Sequence, residues 1–468
     1  MRILLITPPN YPGVGRKEFK QVIDIYQPLG LAYIAAVLEK AGYEVGIIDA
    51  KVEKLSFEAI IKRVADFKPQ IIGLSSSTPD FCVTVALAKQ IRASGDYTII
   101  VGGKHVSALP EETLAEECFD YGVVGEGEET ALELVNAILR KDTQALKSIK
   151  GIVFRSGSER IRTPRRPYIE DLDTLPFPAR HLLPPLTQYQ YLYYKALPLA
   201  TILTSRGCLY QCTFCDRAVF GNKMRVRSIT NIVDEMQMLV RDYGVKVINI
   251  PDDLFTLNPQ RVEDFCRQLL ARNLKISWSC LSRVDLVNPD MLKIMQKAGC
   301  WMIGYGIESG NQRILDTIKK NITLETIKQA LRWTRQLNIR TLGFFMLGLP
   351  GDSEETIRQT LRFSRSLPLD RIVFFITQPY PGSELYQTAN REGKINKEVS
   401  YRYYHNYFFP EKLSYISEGL SAQMLKRYLK KAYRDFYLRP GYIFRQLGNY
   451  YEFPELPKRI KTLLKAIV

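Results

Sequence analysis

The sequence predicts an α/β protein built from two successive parallel-sheet units. An N-terminal doubly wound parallel sheet is followed by a partial (β/α)6 barrel and a small helical C-terminal region. Three observations carry this. Short apolar runs alternate with helically spaced segments five times in about the first 140 residues. A Pro-rich irregular stretch then intervenes, and from Leu199 the alternation repeats six times in roughly 180 residues. The chain has 468 residues, 46% hydrophobic and 24% charged, which is too long for one core and ordinary in composition. A disordered, collagen-like or low-complexity chain is thereby excluded.

In the first unit (1–150), strands are expected at Arg2–Thr7, Glu44–Asp49, Gln70–Ser75, Thr98–Gly102 and Tyr121–Gly125. Helices are expected at Leu31–Ala41, Phe57–Phe67, Val83–Ala93, Glu111–Glu117 and Glu129–Arg140. Such sheets bind ligands beyond the carboxyl ends of their strands. Those ends read Pro8-Pro9-Asn10, Ser75-Ser76-Ser77-Thr78, Gly102-Gly103-Lys104-His105 and Gly125-Glu126-Gly127-Glu128, small and polar enough for a backbone to approach a bulky ligand. No Gly-x-Gly-x-x-Gly follows the first strand, which argues against a dinucleotide. A lone His105 reads as structural; its place beside Gly102-Gly103 also makes it a candidate binding residue.

Residues 151–198 read as a connector, with a hairpin over Gly151–Thr163 and an irregular Pro164–Pro185. The barrel unit (199–395) has expected strands at Leu199–Ser205, Lys246–Ile250, Lys275–Ser279, Cys300–Ile307, Arg340–Leu347 and Arg371–Gln378. Helices are expected at Ile229–Tyr243, Pro259–Asn273, Pro289–Ala298, Leu324–Asn338 and Glu354–Ser366. Six units are too few for a closed barrel of eight, so one side is left open, and active residues belong on the loops after the strands. Residues 396–468 are basic and aromatic, with Tyr-Arg-Tyr-Tyr-His-Asn-Tyr-Phe-Phe at 401–409, a helix at Ala422–Tyr437, and Tyr442, Ile443 and Phe444 after Arg439-Pro440-Gly441. This region is expected to close the open side; contact with a large apolar or anionic substrate or a membrane surface is the sharper alternative.

The net charge of +16 is uneven: residues 1–150 carry −3, residues 400–468 carry +8, and the middle carries +11. No RNA-reading motif accompanies it, so no nucleic-acid partner is expected. Eight cysteines are too sparse for a disulfide scaffold. The apolar start Ile3–Ile6 stops at Pro8-Pro9, too short for a signal peptide, and no stretch approaches the ~20 apolar residues of a membrane span. The expectation is a cytoplasmic protein with reduced thiols, at most peripheral at a membrane surface.

The loop after the first barrel strand reads Arg206-Gly207-Cys208-Leu209-Tyr210-Gln211-Cys212-Thr213-Phe214-Cys215. Three thiolates in one tight loop can converge on a single inorganic centre. A structural zinc site wants four ligands, and His105, His181 and His405 are remote in sequence. Cysteine thiolates hold iron–sulfur clusters, and three of them leave one iron open. Zinc completed by a distant residue is the alternative.

Cys208-x3-Cys212-x2-Cys215, with Phe214 before the last cysteine, resembles the signature of radical S-adenosylmethionine enzymes. The resemblance implies a 4Fe-4S cluster on Cys208, Cys212 and Cys215 whose open iron chelates S-adenosylmethionine. One-electron reduction then yields methionine and a 5′-deoxyadenosyl radical that abstracts hydrogen from an unactivated carbon. Later strand ends are also similar to that family's. Pro251-Asp252-Asp253 resembles the segment meeting the methionine amino group, and Arg283 stands where its carboxylate is reached. Glu308 and Ser309 fall in the ribose segment, and Gly348 and Pro350 beside adenine. Phe214 completes the implied S-adenosylmethionine set. On their own residues, the glycines read as tight turns and Asp253 and Glu308 as helix caps.

The pairing of units resembles cobalamin-dependent radical enzymes over roughly residues 1–395. It implies a flavodoxin-like cobalamin-binding first domain with corrinoid contacts at Pro8, Ser75, Thr78, Gly102, Gly103, His105, Gly125, Glu126 and Gly127, and a TIM-like second one. No Asp-x-His-x-x-Gly occurs, so no histidine is signalled as lower axial ligand; Ser75–Phe81 is placed near the lower face by position. A tRNA methylthiolating enzyme would bring three further cluster cysteines in the first domain, where only Cys82 and Cys118 occur. Cys266, Cys280 and Cys300 read as packing residues. The expected activity is methylation of an unactivated carbon on a large, hydrophobic lipid-like or other secondary-metabolite substrate, with flavodoxin or ferredoxin as reductant. The alternative is an oxidative cyclase of the anaerobic magnesium-protoporphyrin monomethyl ester type. A non-catalytic corrinoid or nucleic-acid-binding protein is a third class, which the intact cysteine triad argues against. No catalytic residue beyond the cofactor sets is assigned.

Overall fold

Short β-branched runs too brief for helices form the strands of the first sheet: β1 (Arg2–Thr7), β2 (Glu44–Asp49), β3 (Ile71–Ser75), β4 (Thr98–Gly102), β5 (Tyr121–Val123), β6 (Ile152–Ser156) and β7 (Glu159–Arg162). The structure is a computed structural model describing residues 1–10, 26–157, 159–189, 191, 194–405 and 412–442. Strand order is β2-β1-β3-β4-β5-β6-β7. The first five strands are parallel, and β6 and β7 run antiparallel at the edge. Ile3, Leu4, Leu5 and Ile6 are all buried, as a parallel strand covered on both faces requires. The order 2-1-3-4-5 is flavodoxin-like, with its switch point between β1 and β3. The hairpin expected as part of the connector is thus the sheet's own edge. The helix expected at Glu111–Glu117 is replaced by two short ones, Lys104–Ala108 and Pro110–Thr113. Pro110, lacking an N–H, suits a first helical turn and separates them.

The barrel strands are β8 (Leu199–Thr201), β9 (Ser205–Arg206), β10 (Arg225–Val226), β11 (Val247–Ile250), β12 (Ser277–Ser282), β13 (Cys300–Glu308), β14 (Arg340–Leu347) and β15 (Arg371–Ile376). Six of them form one parallel sheet in the order β15-β14-β13-β12-β11-β8. Sequential order with helical crossovers puts all helices on one face, where Ile248, Trp278, Ile303, Tyr305, Phe345 and Phe374 join the main core. Leu199, Val247, Met302, Leu342 and Val373 form a separate inner cluster, with Tyr189 and Tyr191 of the connector packed among them. The expected strand Leu199–Ser205 is split. It leaves the sheet after Thr201, and Ser205–Arg206 pairs antiparallel with Arg225–Val226.

The helix at Ala422–Tyr437 falls where the sequence places it and covers the free edge of β15. The backbone N–H groups of Ile372 and Phe374 donate to the Tyr437 and Tyr433 hydroxyls at 3.1 and 3.0 Å. Those hydroxyls donate back to the carbonyls of the same residues at 3.0 and 3.2 Å. Spacing of four on the helix meets spacing of two on the strand, and the edge is blunted. Its apolar face (Leu425, Tyr428, Leu429, Phe436) is buried against the barrel. Ile443, Phe444 and 406–411 lie outside the described residues. No described helix is long and apolar enough to cross a membrane.

The connector is pinned to the barrel by a fully buried ion triad. Arg180 donates to Glu235 at 2.6 Å and Arg227 to the other oxygen of the same carboxylate. Burial pushes the Glu235 carboxyl up, but the two guanidiniums outweigh it and hold it below the usual value. Its stabilising contribution is therefore complete above the unfolded value of about 4.3 and is lost as pH falls through the depressed folded value. Glu235→Gln is expected to cost about 3–5 kcal/mol at neutral pH. The gap to wild type in thermal unfolding should narrow once the pH drops below about 4.

Candidate cofactor site between the two sheets

The cysteine loop is held at its root before any thiol is placed. Asp252, buried at the end of β11, accepts from the backbone N–H of Thr204 at 2.8 Å, from the Thr204 hydroxyl, and from the Ser205 hydroxyl at 2.7 Å. Gly207 follows with φ +90°, and a Cβ there would lie 2.2 Å from the Lys223 carbonyl oxygen, so only glycine fits. Farther on, the Thr213 N–H donates to Ile318 O at 3.1 Å and Leu385 N–H to Thr213 O at 2.8 Å, which ties the loop to two later segments.

Cys208, Cys212 and Cys215 are unbridged thiols. Burial pushes Cys208 up and Cys215 up to about 12, and Asp253 together with the neighbouring thiols adds to both. Three mutually opposed thiolates call for a cationic centre. No three His, Cys, Asp or Glu among the described residues are drawn tightly enough together to hold a metal ion. A single tetrahedral ion needs ligands about 2.3 Å from one point; a multi-iron cluster is a larger body and suits a wider spread. His181 lies elsewhere, its ring 3.0 Å from Glu39, and the His405 side chain is outside the description.

The remaining strand ends surround this loop unequally. Arg283 is buried, its guanidinium 3.6 Å from the Tyr210 ring centroid; it is bidentate to Asp285 at 2.9 and 3.0 Å, yet its Nη1 has no partner among the described residues. A buried orphan donor beside the cysteine loop fits a bound carboxylate. Glu308 has φ +67°, set by a bulge at the end of β13, and accepts from Lys320 at 2.8 Å; Lys320 Nζ lies 5.9 Å from the Phe214 ring. Ser309 is buried, 3.2 Å from the Thr360 hydroxyl. Gly348 has φ +79°, and its N–H and that of Leu349 both donate to Asp352 at 3.0 Å, leaving Pro350 half-buried in the same turn. Asp253 is exposed, whereas Asp252 is spent on Thr204 and Ser205. Asp252 is thus a positioning residue for the loop, a correction to its expected cofactor contact.

The first sheet presents its ends to the same space. Burial raises the carboxyls of Asp253 and Asp216, which flank the thiols, and Lys104 partly offsets it in both. Ser76 N–H donates to Gly102 O at 2.8 Å, and a Cβ on Gly103 would lie 2.6 Å from Ser76 O. Gly102, Gly103, Gly125, Gly127 and Ser75 stay half-open, while Pro8 and Thr78 are buried. Two of the expected contact residues are packed or paired within the chain. His105 is 0% exposed, stacked on Phe81 at 3.9 Å and flanked by Tyr401 at 5.0 Å; burial pushes it down to about 3, and its Nε2 has no partner among the described residues. Glu126 accepts from Arg206 at 2.7 Å, from Arg225 at 2.6 Å and from the Ile169 N–H at 2.9 Å, which makes it an interdomain clamp.

Two family models match the two sheets: a B12 binding domain over residues 21–135 and the Radical SAM superfamily over residues 202–364. The chain is 33% identical to an uncharacterised methyltransferase of Pyrococcus horikoshii over all of this chain and 98% of that one. It belongs to the cobalamin-binding radical S-adenosylmethionine enzymes. It is also 28% identical to the anaerobic magnesium-protoporphyrin IX monomethyl ester cyclase of Cereibacter sphaeroides, over 92% of this chain and 71% of that one. The structure of the radical S-adenosylmethionine methyltransferase TsrM from Kitasatospora setae has the same fold. Its TM-score is 0.72 at 19% identity, over 94% of this chain and 89% of that one. The family's cofactors are cobalamin and S-adenosylmethionine with an iron–sulfur cluster, and its members similar to this chain are methyltransferases and cyclases.

Sequence reasoning missed Lys320, Tyr210, Lys104 and the Arg206–Glu126 clamp. Arg206 and Tyr210 stand in the cysteine-loop segment and Lys104 between Gly103 and His105, so their positions carried a signal; Lys320 carried none. Asp252→Ala is expected to leave three donors at the loop root without their acceptor and to cost about 2–4 kcal/mol. Denaturant unfolding should register the loss, alongside lower iron content after anaerobic reconstitution.

Proposed function

We propose that this enzyme methylates an unactivated carbon of a hydrophobic, lipid-like substrate bound in the barrel lumen. The carrying observation is the lumen wall. Strands of a parallel barrel are ordinarily buried on both faces, yet Leu281, Gly306, Phe344 and Phe375 are only half-buried on the inner side. Phe344 and Phe375 stack at 6.3 Å, and Leu281 and Phe344 close over Gly304, where a Cβ would come within 2.8 and 3.0 Å of them. This stretch of wall is apolar at Leu281, Phe344 and Phe375, and at Gly306 it meets the Glu308–Lys320 pair. When bound, the cofactors supply the hydrogen-abstracting radical and the methyl group.

In this reading the chain's residues bind and orient. Cys208, Cys212 and Cys215 hold the cluster. Arg283 takes the S-adenosylmethionine carboxylate on its free Nη1, while Phe214, Asp253, Glu308, Ser309, Gly348 and Pro350 frame the rest of that cofactor. Pro8, Ser75, Thr78, Gly102, Gly103, Gly125 and Gly127 frame the corrinoid. Connector tyrosines seal the lumen floor against water. A ferredoxin or flavodoxin supplies electrons, and any membrane contact falls to the basic outer face of the last helix and to residues beyond 442, since that helix's apolar face is occupied.

Methyl transfer is preferred to cyclisation because a relative 33% identical over the whole chain is named a methyltransferase, whereas a cyclase that also spans the whole chain is 26% identical. Anaerobic incubation with S-adenosylmethionine, hydroxocobalamin, reductant and candidate lipids should yield S-adenosylhomocysteine and 5′-deoxyadenosine in comparable amounts, with substrate gaining one methyl mass. Deoxyadenosine without matching S-adenosylhomocysteine would favour the cyclase. Arg283→Met should retain iron yet weaken S-adenosylmethionine binding about tenfold or more, as expected for a lost charge-assisted bond, measured by equilibrium dialysis.

A further inference from the structure

The two cofactor units meet through a buried charge cluster that serves neither cofactor directly. Arg206, adjoining Gly207-Cys208, donates from Nη1 to Glu126 at 2.7 Å and from Nη2 to Glu128 at 2.5 Å. Arg225, its antiparallel partner on β10, donates to the other Glu126 oxygen at 2.6 Å. All four side chains are at most 6% exposed. The Arg206 guanidinium also lies between the rings of Tyr33, at 5.4 Å, and Phe220, at 5.3 Å. Both carboxylates belong to the turn after β5, where Gly125 has φ +86° and its N–H donates to the Ser107 hydroxyl at 2.9 Å.

We propose that Arg206 is a positioning residue that couples the two cofactor seats: ordering the cysteine loop around its cluster orders the Gly125–Glu128 turn, and occupancy of the turn orders the loop. Buried ions tolerate no half-made contacts, so the loop root and the turn move together or not at all. A seat already ordered costs less entropy to fill, and such coupling is reciprocal. The inference rests on the assignment of the Gly125–Gly127 turn to the corrinoid seat.

The test is the Kd of hydroxocobalamin, followed by absorbance, for the full-length protein with and without its reconstituted cluster. Wild type should bind about fivefold or more tightly once the cluster is in place. Arg206→Met should bind equally in both states, and Glu128→Gln, which removes one of two links and keeps the fold if the first variant does not, should give an intermediate ratio. A merely structural role would weaken both states alike and leave the ratio unchanged. Equal affinities in wild type, or a wild-type ratio in both variants, would overturn the coupling. Hydroxocobalamin that binds undiminished after Gly125→Val, with the coupling ratio retained, would overturn the seat assignment beneath it.

Discussion

Two sheets face one another across a cofactor space, and the Glu126–Glu128–Arg206–Arg225 cluster is the buried ionic link that joins the cysteine-loop root to the first sheet. An isolated buried ion costs several kcal/mol; here Glu126 meets two guanidiniums and a backbone N–H, and Arg206 meets two carboxylates. Burial pushes the Arg206 guanidinium down, but Glu128 and Glu126 outweigh it and hold it more firmly charged. Arginine suits the position because its planar fork binds two carboxylates at once and does not deprotonate. The second triad, Arg180–Glu235–Arg227, repeats this chemistry one helix away, with Arg227 reaching Tyr33 at 3.5 Å. The two clusters bracket the hairpin that launches the cysteine loop, so the loop's position is set from both sides.

What the sequence made legible follows from the range over which its patterns act. Apolar period and strand-end glycines are local, so both sheets and the last helix could be read directly, while the flavodoxin-like strand order came only with the family resemblance. The cysteine triad was legible because its spacing is itself the chemistry. The clamp spans 80 residues from Glu126 to Arg206, and no local period records such a pairing. That is why Glu126 read as a ligand contact when its oxygens face the barrel. The packing of His105 was hidden for a related reason: what covers a strand-end histidine is not recorded in its local sequence. Here Phe81 and Tyr401, the latter nearly 300 positions downstream, close over it. Lys320 sits in a Lys-Lys pair that reads as solvated surface, yet the bulge of β13 turns Glu308 inward to meet it.

The barrel is finished on its outer face and unfinished on its inner one. Outside, helices fill every position along the strands, and the free edge of β15 is satisfied by Tyr433 and Tyr437, which serve both as donors and as acceptors. Inside, apolar packing stops at the floor formed with Tyr189 and Tyr191, and the wall above it remains half-buried. Filling that wall with larger side chains would add roughly 25 cal/mol for each Å² of apolar surface removed from water. At Gly304 and Gly306 neighbours already close in, with a Cβ 2.8 Å from Leu281 at one and 2.6 Å from the Glu308 carboxylate at the other, so that stabilisation is closed to both positions. Ligands that bind only the folded chain restore part of it by mass action. The folded barrel is therefore more stable with its cofactors bound than without them.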